Sequence, residues 1–148
     1  MAFGATQLRK FFLLPFPDRY LLLKIALLVP LVEWGLRLFS FKRVVRTMER
    51  FANTQTLVTD PGAEAERHRR LLFVFQRHFP FMGKCLAGAL TLRFLLKRLN
   101  LDTELKFGLN KLDGKLVSHA WLEYDSQPLA LDQAVVSQYR PFANSIVA

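Results

Sequence analysis

The stretch Phe81-Met82-Gly83-Lys84-Cys85-Leu86-Ala87-Gly88-Ala89-Leu90 constrains this chain more than any other. It holds the single cysteine and leads into an apolar run, 86–99, with the length and composition of a buried helix. Gly83 permits a tight turn that delivers Cys85 to the start of that helix. Cys85, Gly88, Ala89, Leu92 and Leu96 then recur at helical spacing and share one face. The two small residues among them let another element pack closely above the sulfur. Lys97, Arg98 and Asn100 suit a helix C-terminus, where cations meet the dipole and Asn tolerates the closing turn.

After residue 100 the period changes from helical to alternating. Residues 103–109 read as a strand, Asp113-Gly114 as a hairpin turn, and 115–124 as a second strand. Asp125-Ser126-Gln127-Pro128 is another turn and 128–132 a third strand, while the tail from 133 is weakly patterned. Upstream, Pro15 and Pro17 make 1–17 an extended lead-in, and Asp18 is placed to cap a helix that runs to about residue 39 with a kink or break at Pro30. A second helix over 41–52 sets Val44, Val45, Met48 and Phe51 on one side and its cations elsewhere. Asp60-Pro61-Gly62 reads as a turn that divides an N-terminal helical part, 1–60, from a core, 61–148, the two forming one compact unit. A further helix covers 63–78, burying Leu71, Leu72, Val74 and Phe75, with His68 and His78 as surface or helix-end residues. The expectation is an α+β fold: helices first, then a Cys-bearing helix packed on a small antiparallel sheet.

Charge narrows the partners. The first 70 residues carry 12 Lys/Arg against 6 Asp/Glu and the remainder 9 against 6, so most of the net charge of +9 lies in the N-terminal part. Such an excess favours an acidic peptide or an anionic membrane face, or is simply a solvated basic surface. No Arg/Lys block interleaves with aromatics on a strand, so nucleic acid is not expected. One cysteine leaves no internal disulfide and no multi-cysteine zinc site; no metal and no cofactor are expected. The run 21–39 contains Lys24, Glu33 and Arg37, and its uncharged portion 25–32 falls far short of the roughly 20 residues a membrane span needs, which favours a core or interfacial helix.

The chemistry follows from three residues. Ser118-His119-Ala120-Trp121-Leu122-Glu123 sets a histidine in the second strand, and Asp132 lies beyond the next turn. A cysteine at a helix start, then a histidine, then an aspartate can form a thiol triad. Cys85 would be the nucleophile, its thiolate favoured by the helix N-terminus and Lys84. His119 would take and return the proton, and Asp132 would hold the imidazole. Asp125 is the rival for that last role, although at a turn it more simply bonds its own backbone. Period two puts Val117, His119, Trp121 and Glu123 on one face of the strand, and His119 meets Cys85 if that face packs on the helix start. Singly, a cysteine beside an apolar helix is more commonly a small buried hydrophobe, and a strand histidine structural; the joint arrangement is what points to catalysis.

Cys85-Leu86, Ala89-Leu90 and Leu95-Leu96-Lys97-Arg98, followed by Ser118-His119-Ala120-Trp121-Leu122-Glu123, resemble the leader-peptidase portion of lasso peptide B proteins, a family similar in fold to transglutaminases and papain-like peptidases. Asp18-Arg19-Tyr20-Leu21-Leu22-Leu23 and Phe41-Lys42-Arg43 extend the resemblance from about residue 10 to about 132. It implies a bacterial cytoplasmic cysteine peptidase, peripheral at the inner membrane if the N-terminal helices contact lipid. Its implied substrate is a precursor with a leader peptide, and its implied partners are a separate leader-recognition protein and a lasso cyclase. An acyltransferase or amidase using the same thiol, and a non-catalytic protein that docks on membrane or cyclase, are the other readings.

Overall fold

The computed structural model describes residues 5–52, 56–82, 85–129 and 133–142, without the side chains of 5–8, 85 and 133. The architecture is α+β, with helices preceding an antiparallel four-stranded sheet.

The N-terminus is helical where an extended lead-in is expected. Helix α1 spans Ala5–Leu13 and α2 spans Phe16–Leu38. The prolines act only locally. Pro15 is the N-cap of α2 and Pro17 lies in its first turn, where a missing N–H leaves no bond unmade. Helix α2 continues through Pro30. Asp18 is therefore not a cap. It is buried within the first turn and accepts from Arg67 Nε at 2.6 Å, with Arg70 Nη2 at 3.6 Å from its other oxygen, tying α2 to the helix that carries both arginines.

Helix α3 covers Phe41–Phe51. Val44 and Val45 are buried and Met48 is half-buried, but Phe51, expected on the same face, is exposed in the last residue of the helix. Asp60-Pro61-Gly62 opens a helix instead of making a turn: α4 is Pro61–His78, Asp60 Oδ1 accepts from the Ala63 N–H at 3.0 Å, and proline is preorganised for the first turn. Leu71, Leu72 and Phe75 of α4 are buried.

Helix α5, Cys85–Lys97, is the centre of the molecule. It packs against α2, α4, β1 and β2. Residues 87–92, 95 and 96 are all buried, so α5 is enclosed nearly all round, as a helix of this composition must be. It closes as the Asn100 signal foretells: Asn100 adopts φ 60°, and the Leu101 N–H returns to the Leu96 carbonyl at 3.0 Å.

Strand β1, Glu104–Leu112, and strand β2, Lys115–Tyr124, pair over their whole length around Asp113 (φ 48°) and Gly114 (φ 78°), which satisfy the positive φ of a two-residue hairpin. Asp125 and Ser126 make a second such turn into β3, Gln127–Leu129. The unassigned tail forms a short helix α6, Gln133–Val136, and a two-residue strand β4, Arg140–Pro141, which pairs with β1. The sheet order is β3-β2-β1-β4. One core joins the layers: Ile25 and Val29 of α2, Leu72 of α4, Leu92 and Leu96 of α5, and Leu105 and Leu122 of the sheet.

His68, expected at the surface or a helix end, is buried, because its position on α4 turns inward. Its Nδ1 lies 2.8 Å from the Glu64 carbonyl. Burial pushes its pKa below the usual 6.5; the Glu64 carbonyl and carboxylate pull it back up, and Arg67 and Lys24 push it down. The imidazole is thus held neutral in the fold but protonates readily when unfolded. The unfolded chain binds the extra proton as pH falls past about 6.5, so stability is full above that value and is lost below it, down to the folded-state pKa. Urea unfolding between about pH 7 and pH 5 is expected to show this loss, and His68→Gln, which cannot titrate, to reduce it.

Candidate active site

Cys85 is the first residue of α5, and α5 packs on β2, the strand that carries His119. Asp132 lies outside the described residues, as do Gly83 and Lys84. Asp125 is exposed at the tip of the second hairpin, six residues along an extended chain from His119, or about 20 Å.

The two faces of β2 are distinct. Ala120 and Leu122 belong to the core shared with α5, together with Leu105, the partner of Leu122 across the β1–β2 ladder. His119 and Trp121 alternate to the other face. The body of α5 therefore packs on the Ala120–Leu122 face and not, as expected, on the face that bears His119. The alternation itself is as read; small and apolar Ala120 and Leu122 win the core side because the opposite face carries Lys106, Glu104 and Glu123, linked by ion pairs at 2.6 and 4.0 Å.

On its own face His119 is half-buried and built into an aromatic cluster. Its ring centroid is 5.5 Å from that of Tyr139, inclined at 35°, and Tyr139 also lies 6.4 Å from the Trp121 ring. Trp121 is buried and donates its indole N–H to Glu123 at 3.1 Å. Gly108 is the direct cross-strand partner of His119. A Cβ there would meet two carbons of the Trp121 ring and the Tyr139 Cβ, each at 2.9 Å. The glycine is thus required by close approach: it lets the indole lie over β1 and leaves the imidazole without a side chain opposite.

Neither Gly108 nor Tyr139 is evident from the sequence reading. A glycine in the middle of a strand is a signal that another group comes close, and could have flagged the first. Tyr139 had no signal: it reaches the site only because the tail returns along β1. Among the described residues no group of three or more His, Cys, Asp or Glu could hold a metal ion.

A family model described as the transglutaminase-like superfamily matches residues 27–144. The chain belongs to that superfamily. No curated protein and no solved structure matches it. Members of the transglutaminase-like superfamily are typically enzymes of cysteine-peptidase or acyltransferase type, and the match covers the described part of α2 from residue 27, all of α3 to α5, and the whole sheet.

Gly108→Ala tests the aromatic cluster. With Trp121 enclosed, the added methyl has no flexible neighbour to displace, and a loss of about 1–3 kcal/mol in urea unfolding is expected, with a change in the near-ultraviolet dichroism of Trp121 and Tyr139.

Proposed function

We propose that the protein is a cysteine peptidase that removes the leader from a ribosomally made lasso precursor peptide. The observation that carries the proposal is that the single cysteine opens the central helix, and this helix packs on the strand that bears His119, within a chain of the transglutaminase-like superfamily. The resemblance of Ser118-His119-Ala120-Trp121-Leu122-Glu123 to lasso peptide B proteins supplies the substrate class.

In this reading the Cys85 thiolate attacks the carbonyl carbon at the leader–core junction, and backbone N–H groups at the helix start stabilise the oxyanion. His119, having taken the thiol proton, returns it to the leaving amine, so the peptide C–N bond breaks and a thioester remains. Water, deprotonated by the same imidazole, then cleaves the thioester and restores the thiol. Asp132 holds the imidazole. Asp132 is preferred to Asp125 because Asp125 is exposed in the second hairpin turn at φ 50°, a position an aspartate occupies for the turn itself. The reading requires thiol and imidazole to meet on the Tyr139 side of β2. A leader-recognition protein would present the precursor, and a cyclase would take the released core peptide.

Mass spectrometry of a precursor incubated with the protein and its recognition partner tests the proposal. Cleavage at one bond is expected, falling to background with Cys85→Ala and by at least about a hundredfold with His119→Ala. Cleavage that survives Cys85→Ala would overturn the thiol mechanism, and incorporation of an added amine without hydrolysis would turn the reading to acyl transfer.

A further inference from the structure

One face of α2 is unaccounted for by the fold. Tyr20, Leu23, Leu27, Leu31, Trp34 and Leu38 recur at spacings of three and four residues and are 55–72% exposed. On an α-helix these positions fall within about 40° of one line and run for about 27 Å. Scattered exposed apolar residues are ordinary, but a continuous stripe of this length marks a surface that is covered in use. Apolar grooves border it on both sides. One, between α2, α1 and α4, is lined by Phe11, Leu14, Leu23 and Phe79; the other, between α2 and α3, by Leu28, Leu31, Phe39 and Phe51.

Charge decides what covers it. Residues 9–50 contain nine Lys/Arg and three Asp/Glu. The three acids face other groups: Asp18 faces Arg67 and Arg70, Glu49 faces Arg93 and Lys97, and Glu33 accepts from Arg37. None lies in the stripe. Arg19, Lys24 and Arg37 stand within about a quarter turn of it, on both sides. Lys24 Nζ is 4.3 Å from the Tyr20 ring centroid and the Arg19 guanidinium 5.9 Å from that of Phe16, which keeps both cations beside the apolar line. On α3, Lys42, Arg43 and Arg46 are exposed.

We propose that α2 lies flat on an anionic bilayer surface. Its stripe sinks among the acyl chains, Tyr20 and Trp34 sit at headgroup level, and the flanking cations meet lipid phosphates. Among the described residues no helix is long and apolar enough to cross a membrane, so α2 rests in the interface. A second copy is a poor occupant, because an isologous contact would set two cationic rims against each other. Helix α5 separates α2 from the sheet, so docking leaves the strand bearing His119 on the side away from lipid.

Vesicle flotation of the full chain tests this. Vesicles of phosphatidylcholine with about 30% phosphatidylglycerol are expected to carry the protein at about 50 mM salt, less at about 500 mM, and pure phosphatidylcholine to carry little. The double variant Leu27→Glu/Leu31→Glu changes only exposed positions and is expected to lose at least about tenfold in vesicle affinity, while Leu116→Glu, equally exposed on the sheet, keeps it. Tryptophan emission gives a reading that needs no variant: Trp121 is already buried, so a blue shift on adding anionic vesicles reports Trp34. Absence of binding and of the shift at low salt would overturn the proposal. So would full binding by the double variant, or a dimer in solution that the double variant dissolves while the wild-type chain ignores vesicles.

Discussion

Helix α5 is enclosed on nearly every side, and its neighbours are arranged by that enclosure. A helix buried nearly all round has no amphipathic face to choose, so every neighbouring element must supply an apolar surface to it. Helices α2 and α4 supply two, and the Leu105–Ala120–Leu122 face of the sheet supplies another. The small residues Ala87, Gly88 and Ala89 allow those neighbours to come close near the cysteine end, where side-chain bulk would hold them off. The same enclosure leaves the outward sides of α2 and β2 to be used for something else: an apolar stripe on one and an aromatic cluster round an imidazole on the other.

That cluster shows how a tail of weak pattern can matter. Strand β4 is only two residues long, yet its pairing with β1 and the Phe142 N–H donating to the Phe107 carbonyl at 2.9 Å bring Tyr139 against His119. Gly108 makes room for Trp121 beneath it. The histidine thereby lies against the Tyr139 ring on a strand paired along its whole length with β1.

Legibility in the sequence tracked the locality of the cause. Asp113-Gly114, Asn100 and the alternation through β2 each determine backbone shape within a few residues, and the structure agrees with all three. The N-terminus and the start of α4 depart from expectation for one reason: Pro15, Pro17 and Pro61 sit at helix beginnings, where proline favours the helix it would break further in. Asp18 and His68 depart from it because their surroundings come from distant chain, Arg67 in one case and the packing of α4 in the other. Of the candidate site, the cysteine at the start of a buried helix and the histidine on a strand were legible. Which face of that strand meets the helix was not, since alternation defines two faces without saying which of them is covered.

In the proposed mechanism the Cys85 thiol and the His119 imidazole act as one unit. Because the chain has a single cysteine, alkylation by iodoacetamide reads that thiol alone, and its rate can be followed from about pH 5 to pH 9. A thiol paired with His119 is expected to keep a rate that persists well below the ordinary thiol range of about 8.5 and that retreats to that range in His119→Ala. A wild-type profile like that of an ordinary thiol, unchanged by His119→Ala, would contradict it.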